Sequence, residues 1–248
     1  MKIKQITIVL ETIVAIGVVI IIFITKEYFY QEQLQAERIP ALNSVNKETD
    51  DEIIKIPISF KAQEHALTCE IAALRMSLNY FGIDVTEEEL LEKLNFDTKE
   101  PLTSENIWGD PSLGFVGYID GSIFLGTGYG VYEKPILDLA LNYSKASIIE
   151  KANLSKVLEE VNKGHPVIVW GLLSNRKPVY WQTKQGKQIK AFPGEHARIV
   201  MGYSGDISNP NKIILMDPLY GKILMDKDKF LADWETLENR AVVIYDNV

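Results

Sequence analysis

Residues Ile13 to Ile24 carry no polar side chain. Extending this run back to Ile3 and on to Thr25 gives 23 residues, broken by Lys4, Gln5, Thr7, Glu11 and Thr12. At about 1.5 Å per residue, such a helix crosses a hydrocarbon core of roughly 30 Å, with Glu11 left to snorkel or to thin the bilayer locally. The pattern predicts one transmembrane anchor over residues 1–26. A cleaved signal peptide, leaving the protein secreted, has an apolar run of similar length and is the alternative, although the chain continues Thr25-Lys26-Glu27-Tyr28 with no small-residue cleavage site. Lys2, Lys4 and the terminal amine before the span, against Lys26 after it, place the N-terminus inside and the bulk of the chain outside. Residues 27–52 read as a stalk: Tyr28, Phe29 and Tyr30 suit the membrane interface, and a charged run from Lys47 to Glu52 closes it.

The outer domain, residues 53–248, changes period twice. Ile53 to Phe60 alternates around Pro57, as a short edge strand does. From Thr68 to Phe81 the apolar residues Ile71, Leu74, Leu78 and Phe81 share one helical face, and Gly82 supplies the C-terminal stop. Thr86 with Glu89 three residues later is a capping box opening a second helix to about Leu94. Residues 96–134 are rich in glycine and have little periodicity, yet Trp108, Phe115, Tyr118, Phe124, Tyr129 and Tyr132 predict an ordered surface. Helices follow from Pro135 to about Tyr143 and from Ser155 to Asn162. The pattern then switches to β-rich runs at 166–173, 179–183, 188–192, 197–203, 212–216 and 241–245. Helices first and antiparallel strands second predict an α+β fold.

Composition removes several classes of function. The 248 residues hold 26 Lys+Arg against 34 Asp+Glu, a net charge of −8, which argues against a nucleic-acid partner. With 46% apolar and 24% charged residues, the chain is neither fibrous nor disordered. Its single cysteine excludes an internal disulfide and a four-thiolate metal site.

That cysteine, Cys69, stands at the predicted start of the first helix, where unpaired N–H groups and the helix dipole favour a thiolate. A buried core cysteine is the plain alternative. His196, in Gly194-Glu195-His196-Ala197, opens a strand and could serve as the base that takes the thiol proton. Asp217 ends the run Ile213-Ile214-Leu215-Met216 before Pro218, where it could orient that imidazole, although turn aspartates before proline are common. Gln63, six residues before Cys69, could join the Cys69 backbone N–H in an oxyanion hole. His65 reads as a wall residue and His165 as a strand start. A zinc site from Cys69, His65 and His196 has no supporting ligand spacing. Gly126-Thr127-Gly128-Tyr129-Gly130 is no dinucleotide fingerprint. No cofactor or metal is required.

The order Gln, Cys, His, Asp on loop, helix start, strand start and next strand is papain-like. Leu67-Thr68-Cys69-Glu70 with Tyr80-Phe81-Gly82, Trp108-Gly109-Asp110-Pro111, Gly164-His165-Pro166, Glu195-His196 with Gly202-Tyr203, and Asp217-Pro218 with Gly221 carry a resemblance over residues 53 to 245. The chain resembles the papain-like cysteine peptidases related to the double-glycine-leader, bacteriocin-processing peptidases, in their stand-alone membrane-anchored branch. The resemblance implies Cys69 as nucleophile, His196 as base and then acid, Asp217 as orienter and Gln63 as oxyanion donor. It also implies a peptide or protein substrate. Many relatives carry glycine before the cysteine, where this chain has Thr68. A papain-like module that binds a peptide, a cell-wall fragment or a partner protein without cleaving it is the alternative. The sequence leaves the oligomeric state open.

Overall fold

The structure, a computed structural model, describes residues 52–54, 56–174 and 176–247. The predicted membrane anchor lies outside the described residues, as does the stalk apart from Glu52. Among the described residues no helix is long and apolar enough to cross a membrane.

In chain order the elements are β1 (Glu52–Ile54), α1 (Cys69–Tyr80), α2 (Glu87–Lys93), β2 (Phe96–Thr98), β3 (Phe115–Gly117), a 3-10 turn (Ile123–Leu125), β4 (Gly128–Gly130), α3 (Glu133–Ala140), β5 (Ala146–Ile148) and α4 (Leu154–Asn162). Then come β6 (Val167–Leu172), β7 (Val179–Gln182), β8 (Gln188–Ala191), β9 (Glu195–Asp206), β10 (Asn209–Asp217), β11 (Gly221–Asp226), α5 (Lys227–Thr236) and β12 (Ala241–Ile244). The six β-rich runs became β6 to β10 and β12. The strand expected over Ile53 to Phe60 is short: β1 pairs antiparallel with β9, and past Pro57 the chain leaves the sheet.

The main sheet runs β11-β10-β9-β6-β12-β5, with β1 also on β9. Its pairings are antiparallel. β2, β3 and β4 form a small second sheet and β7–β8 a hairpin.

α1 is buried from Cys69 through Leu78 and packs on β9 and β6. One apolar stripe predicts a surface helix; the structure makes α1 a central one, which brings Glu70, Arg75 and Ser77 into the interior. Each has a partner there: Ser77 Oγ donates to the Ala73 carbonyl, and Arg75 pairs with Glu64 and Glu87. The capping box at Thr86 and Glu89 opens α2 as expected. α3 starts two residues before Pro135, which the first turn tolerates because its N–H needs no partner there.

The glycine-rich stretch is core as much as surface. Trp108, Phe115, Tyr129 and Tyr132 are buried, whereas Tyr118 and Phe124 are about half exposed. Trp181 packs edge-on against Trp108 and Tyr129, and its Nε1 donates to the Gly109 carbonyl at 2.7 Å. The glycines permit close backbone approach: a Cβ on Gly114 would sit 2.4 Å from the Asp97 amide nitrogen.

Trp170 of β6 is fully buried and donates from Nε1 to the Val131 carbonyl at 3.0 Å, tying the main sheet to the segment after β4. Trp170→Phe removes that donor from a buried carbonyl and is expected to cost about 1–3 kcal/mol. Thermal unfolding should show it as a Tm loss of about 2–4 °C per kcal/mol.

Candidate active site

Three long-range pairings build the site. Cys69 is the first residue of α1, and the loop before it is pinned to the glycine-rich segment. The Leu67 N–H donates to the Ile119 carbonyl at 2.9 Å, and the Ala66 N–H donates to Asp120 Oδ1 at 3.0 Å. His196 is the second residue of β9 and Asp217 the last of β10, its neighbour in the sheet. In a strand alternate residues share a face, so His196 and Arg198 project to the same side. Both reach Asp217: His196 Nε2 lies 3.0 Å from Oδ1, and Arg198 Nε donates to Oδ2 at 2.7 Å. The Leu219 N–H adds a bond to Oδ1 at 2.8 Å. Asp217 is fully buried and His196 nearly so.

The sulfur of Cys69 meets β9 directly. The Ala197 N–H, one residue past the histidine, donates to Sγ at 3.4 Å. The thiol itself donates to Glu70 Oε2 at 3.2 Å. Glu70 Oε1 accepts the Val131 N–H at 2.9 Å. Glu195, the residue before His196, faces the same spot, and its buried Oε1 finds no hydrogen-bond partner among the described residues. Gly130 closes this corner: a Cβ there would lie 2.9 Å from Glu70 Oε1 and 3.1 Å from Glu195 Oε2.

Burial decides most of the ionisation. Loss of solvent holds His196 below the ordinary imidazole value, more than Asp217 raises it, so the ring is neutral near pH 7. Burial alone would raise Asp217, but His196, Arg198 and the Leu219 N–H outweigh it and keep the carboxyl well below the usual range. An ionised Asp217 accepts from Nε2–H and leaves the lone pair of His196 on Nδ1. Cys69 runs against the expectation from its helix position: burial first, then Glu70 and Glu195, push the thiol well above its ordinary value. Glu70 is pushed up to about 7 by burial, against the N–H bonds it accepts. Glu195 is also raised well above its ordinary value, by burial and then by Glu70.

The other candidates lie as follows. The Gln63 side-chain NH2 donates to the carbonyls of His65 at 2.7 Å and Ala66 at 3.1 Å, so both its hydrogens are used locally and neither reaches Cys69. Its backbone N–H donates to the Pro218 carbonyl at 3.1 Å, which sets the loop beside Asp217. His65 Nδ1 pairs with Asp120 Oδ2 at 2.9 Å, and His165 Nδ1 with Glu160 Oε2 at 2.8 Å. The donor set Cys69, His65, His196 therefore does not form. Among the described residues it is Cys69, Glu70 and Glu195 whose potential ligand atoms converge, within 4.8 Å of one another.

Thr68, where many relatives of the resembled family have glycine, is fully buried, and its hydroxyl donates to Glu87 Oε1 of α2. Glu87 also accepts the Glu64 N–H at 3.2 Å and lies 3.5 Å from Arg75 Nη2. The threonine thus ties the start of α1 to α2. Thr68→Val keeps the volume but leaves a buried carboxylate one donor short; about 1–3 kcal/mol of stability should be lost in chemical denaturation.

Sequence reasoning missed Glu70, Glu195 and Arg198. Each follows or precedes a singled-out residue by one or two positions. Their signal was a charged residue inside an otherwise apolar helix or strand, visible only if those elements are assumed buried.

The mixed α/β domain as a whole has counterparts among known proteins. A family model described as the Peptidase_C39 like family matches residues 54–242. The chain belongs to that family, and its fold is the C39-like peptidase fold. Protein YvpB of Bacillus subtilis strain 168 is 35% identical over 185 residues, which cover 71% of this chain and 68% of that protein. A structure from Bacillus anthracis described as a C39-like peptidase superposes with a TM-score of 0.66 at 26% identity, over 79% of this chain and 98% of that one. A double glycine motif protease from an AMS/PCAT transporter, solved with its leader peptide, is a remote likeness: 14% identity and a TM-score of 0.43, over 81% of this chain and 100% of that one.

Proposed function

We propose that this chain is a cysteine peptidase of papain-like design that hydrolyses a peptide bond through Cys69, His196 and Asp217. The reading is carried by one arrangement: Asp217 accepts from His196 Nε2 at 3.0 Å while the amide of the next residue, Ala197, touches Cys69 Sγ at 3.4 Å. Family membership supports it at the level of class.

A raised thiol and a neutral imidazole suit general-base catalysis better than a preformed ion pair. On substrate binding Sγ turns from Glu70, and its proton passes to His196 Nδ1 as sulfur attacks the carbonyl carbon. The first N–H groups of α1 have no intrahelical partner and can receive the oxyanion. Gln63 would join them only after releasing the His65 and Ala66 carbonyls. The imidazolium, held by Asp217, protonates the leaving amine, and water then releases the acid from the thioester.

We further propose that residues 1–26 anchor the chain in the cell membrane with the peptidase domain outside; the apolar run Ile13 to Ile24 is the support. The elevated thiol and the locally used Gln63 amide favour a second reading, a binding module that holds a peptide without cleaving it. Cleavage of a mixed peptide library by the full-length protein, followed by mass spectrometry and repeated with Cys69→Ala, separates the two. Cuts that vanish in the variant support the peptidase. Peptide binding retained with no cut in either protein supports the module.

A further inference from the structure

Glu70 stands closer to the nucleophile than the catalytic mechanism has any use for. Its Oε2 accepts the Cys69 thiol at 3.2 Å, and its other oxygen is fixed by the Val131 N–H at 2.9 Å. Gly130, with φ of +135°, lets the backbone approach both this carboxylate and Glu195, since any Cβ would crowd them. Glu195 opposes Glu70 from β9, with one buried oxygen unpartnered among the described residues. We propose that Glu70 is a positioning residue that holds the Cys69 thiol in a protonated resting state, with the Val131 amide fixing the Glu70 carboxylate in place.

This inference deepens the peptidase reading, since it takes Cys69 as the reactive thiol. No group consumes or supplies a proton in the resting state. The Sγ–H bond stays intact and points at Oε2. Release breaks only that hydrogen bond, and the proton later leaves sulfur for His196 Nδ1 with the electron pair remaining on sulfur.

The charges around the pair agree with a holding role. Glu70 faces Cys69 of its own helix, Glu87 of α2 and Glu195 of β9. Glu195 faces Glu70, Arg240, Arg198 and the hydroxyls of Tyr129 and Tyr132. Both arginines are committed elsewhere, Arg198 to Asp217 at 2.7 Å and Arg240 to Glu133 and Glu238 at 2.6 Å each. An ionised Glu70 next to a sulfur anion is a like-charge contact at short range, so it disfavours the thiolate.

Because the chain has one cysteine, the rate of iodoacetamide alkylation of the full-length protein reads this thiol alone. Glu70→Gln should raise that rate at pH 7.5 by about tenfold and move the rate–pH curve about one unit lower. Glu70→Asp, which keeps the charge but draws it back by one methylene, should give a smaller rise. A slower Glu70→Gln would make Glu70 an activating base, and an unmoved curve with a lowered Tm would make it merely structural; either overturns the proposal. Should both variants fail to fold, infrared spectroscopy of the unaltered protein decides. A thiol stretch at the strongly hydrogen-bonded, low-frequency end supports the contact with Glu70, and a free-thiol frequency refutes it. Alkylation needs no peptide, so an accelerated Glu70→Gln in a protein that cleaves nothing would sink the peptidase reading and leave this one standing.

Discussion

Cys69→Ala should reduce peptide cleavage below detection, a fall on the order of 10⁶ in kcat where a nucleophile acts with its base as a unit. The fold should survive. Cys69 is buried, but alanine leaves only the volume of one sulfur, and the Ala197 N–H and Glu70 Oε2 each lose one weak sulfur bond. A stability change under about 2 kcal/mol is expected, measured as Tm by calorimetry. Retained cleavage in a folded Cys69→Ala protein would remove Cys69 from the mechanism. Loss of cleavage together with loss of the folded state would say nothing of chemistry, so the two measurements belong on one preparation.

Asp217→Asn is the second large effect, and it strikes activity and stability together. The carboxylate serves His196 with one oxygen and Arg198 with the other, at zero exposure. An amide of the same shape can still accept from only one of these neighbours. If its oxygen stays with His196, its NH2 faces the Arg198 Nε donor, and a buried guanidinium loses its countercharge, at a cost of about 3–5 kcal/mol. If the amide turns over, Arg198 is served but His196 is pushed to the wrong tautomer, with the lone pair on Nε2 and not on the nitrogen needed as base. Loss of the orienting carboxylate should lower kcat by about 10²–10⁴-fold. A variant with native Tm and native kcat would show that Asp217 does neither job.

Asp217 and His196 each make the fold sensitive to acid. Asp217 is held below the ordinary carboxylate value, so the stability it contributes is complete above an unfolded pKa of about 3.9 and is lost as pH falls through its folded value. His196 is also lowered, being buried as a neutral ring. As pH drops below about 6.5 the unfolded chain gains a proton that the folded one resists, and stability falls again. These two contributions share a sign and raise the unfolding free energy with pH, whereas the raised Glu70 and Glu195 carboxyls act the other way above the ordinary carboxylate pKa. Asp217→Asn should flatten the part of that slope below about pH 4.

How much of this was legible beforehand follows from the range of the forces involved. The helix at Cys69, the capping box at Thr86 and β6 to β10 with β12 depend on periodicities and turn residues within a few positions. Those signals are printed in the chain itself. α5 went unread because its signal is one buried pair, Phe230 and Trp234, in an otherwise charged stretch. β2 to β5 went unread because three residues carry no usable alternation. β11 went unread too: it is an edge strand, largely half-buried, whose pairing partner is β10. The pattern at 108–132 predicts a surface, which Tyr118 and Phe124 keep, but Trp108, Phe115, Tyr129 and Tyr132 pack inward as a second layer, with Trp181 and Trp170, arrives from far along the chain.

By itself the amino-acid order determined which residues could do chemistry and what local element each would begin or end, because helix starts and strand ends are short-range events. Only the tertiary structure decided their company. Cys69 meets Ala197 across 128 positions and Val131 reaches Glu70 across 61, and no local pattern encodes such encounters. That burial turned the expected low-pKa thiol into a raised one, since desolvation depends on everything packed around a group and outweighs the dipole of the helix on which it sits.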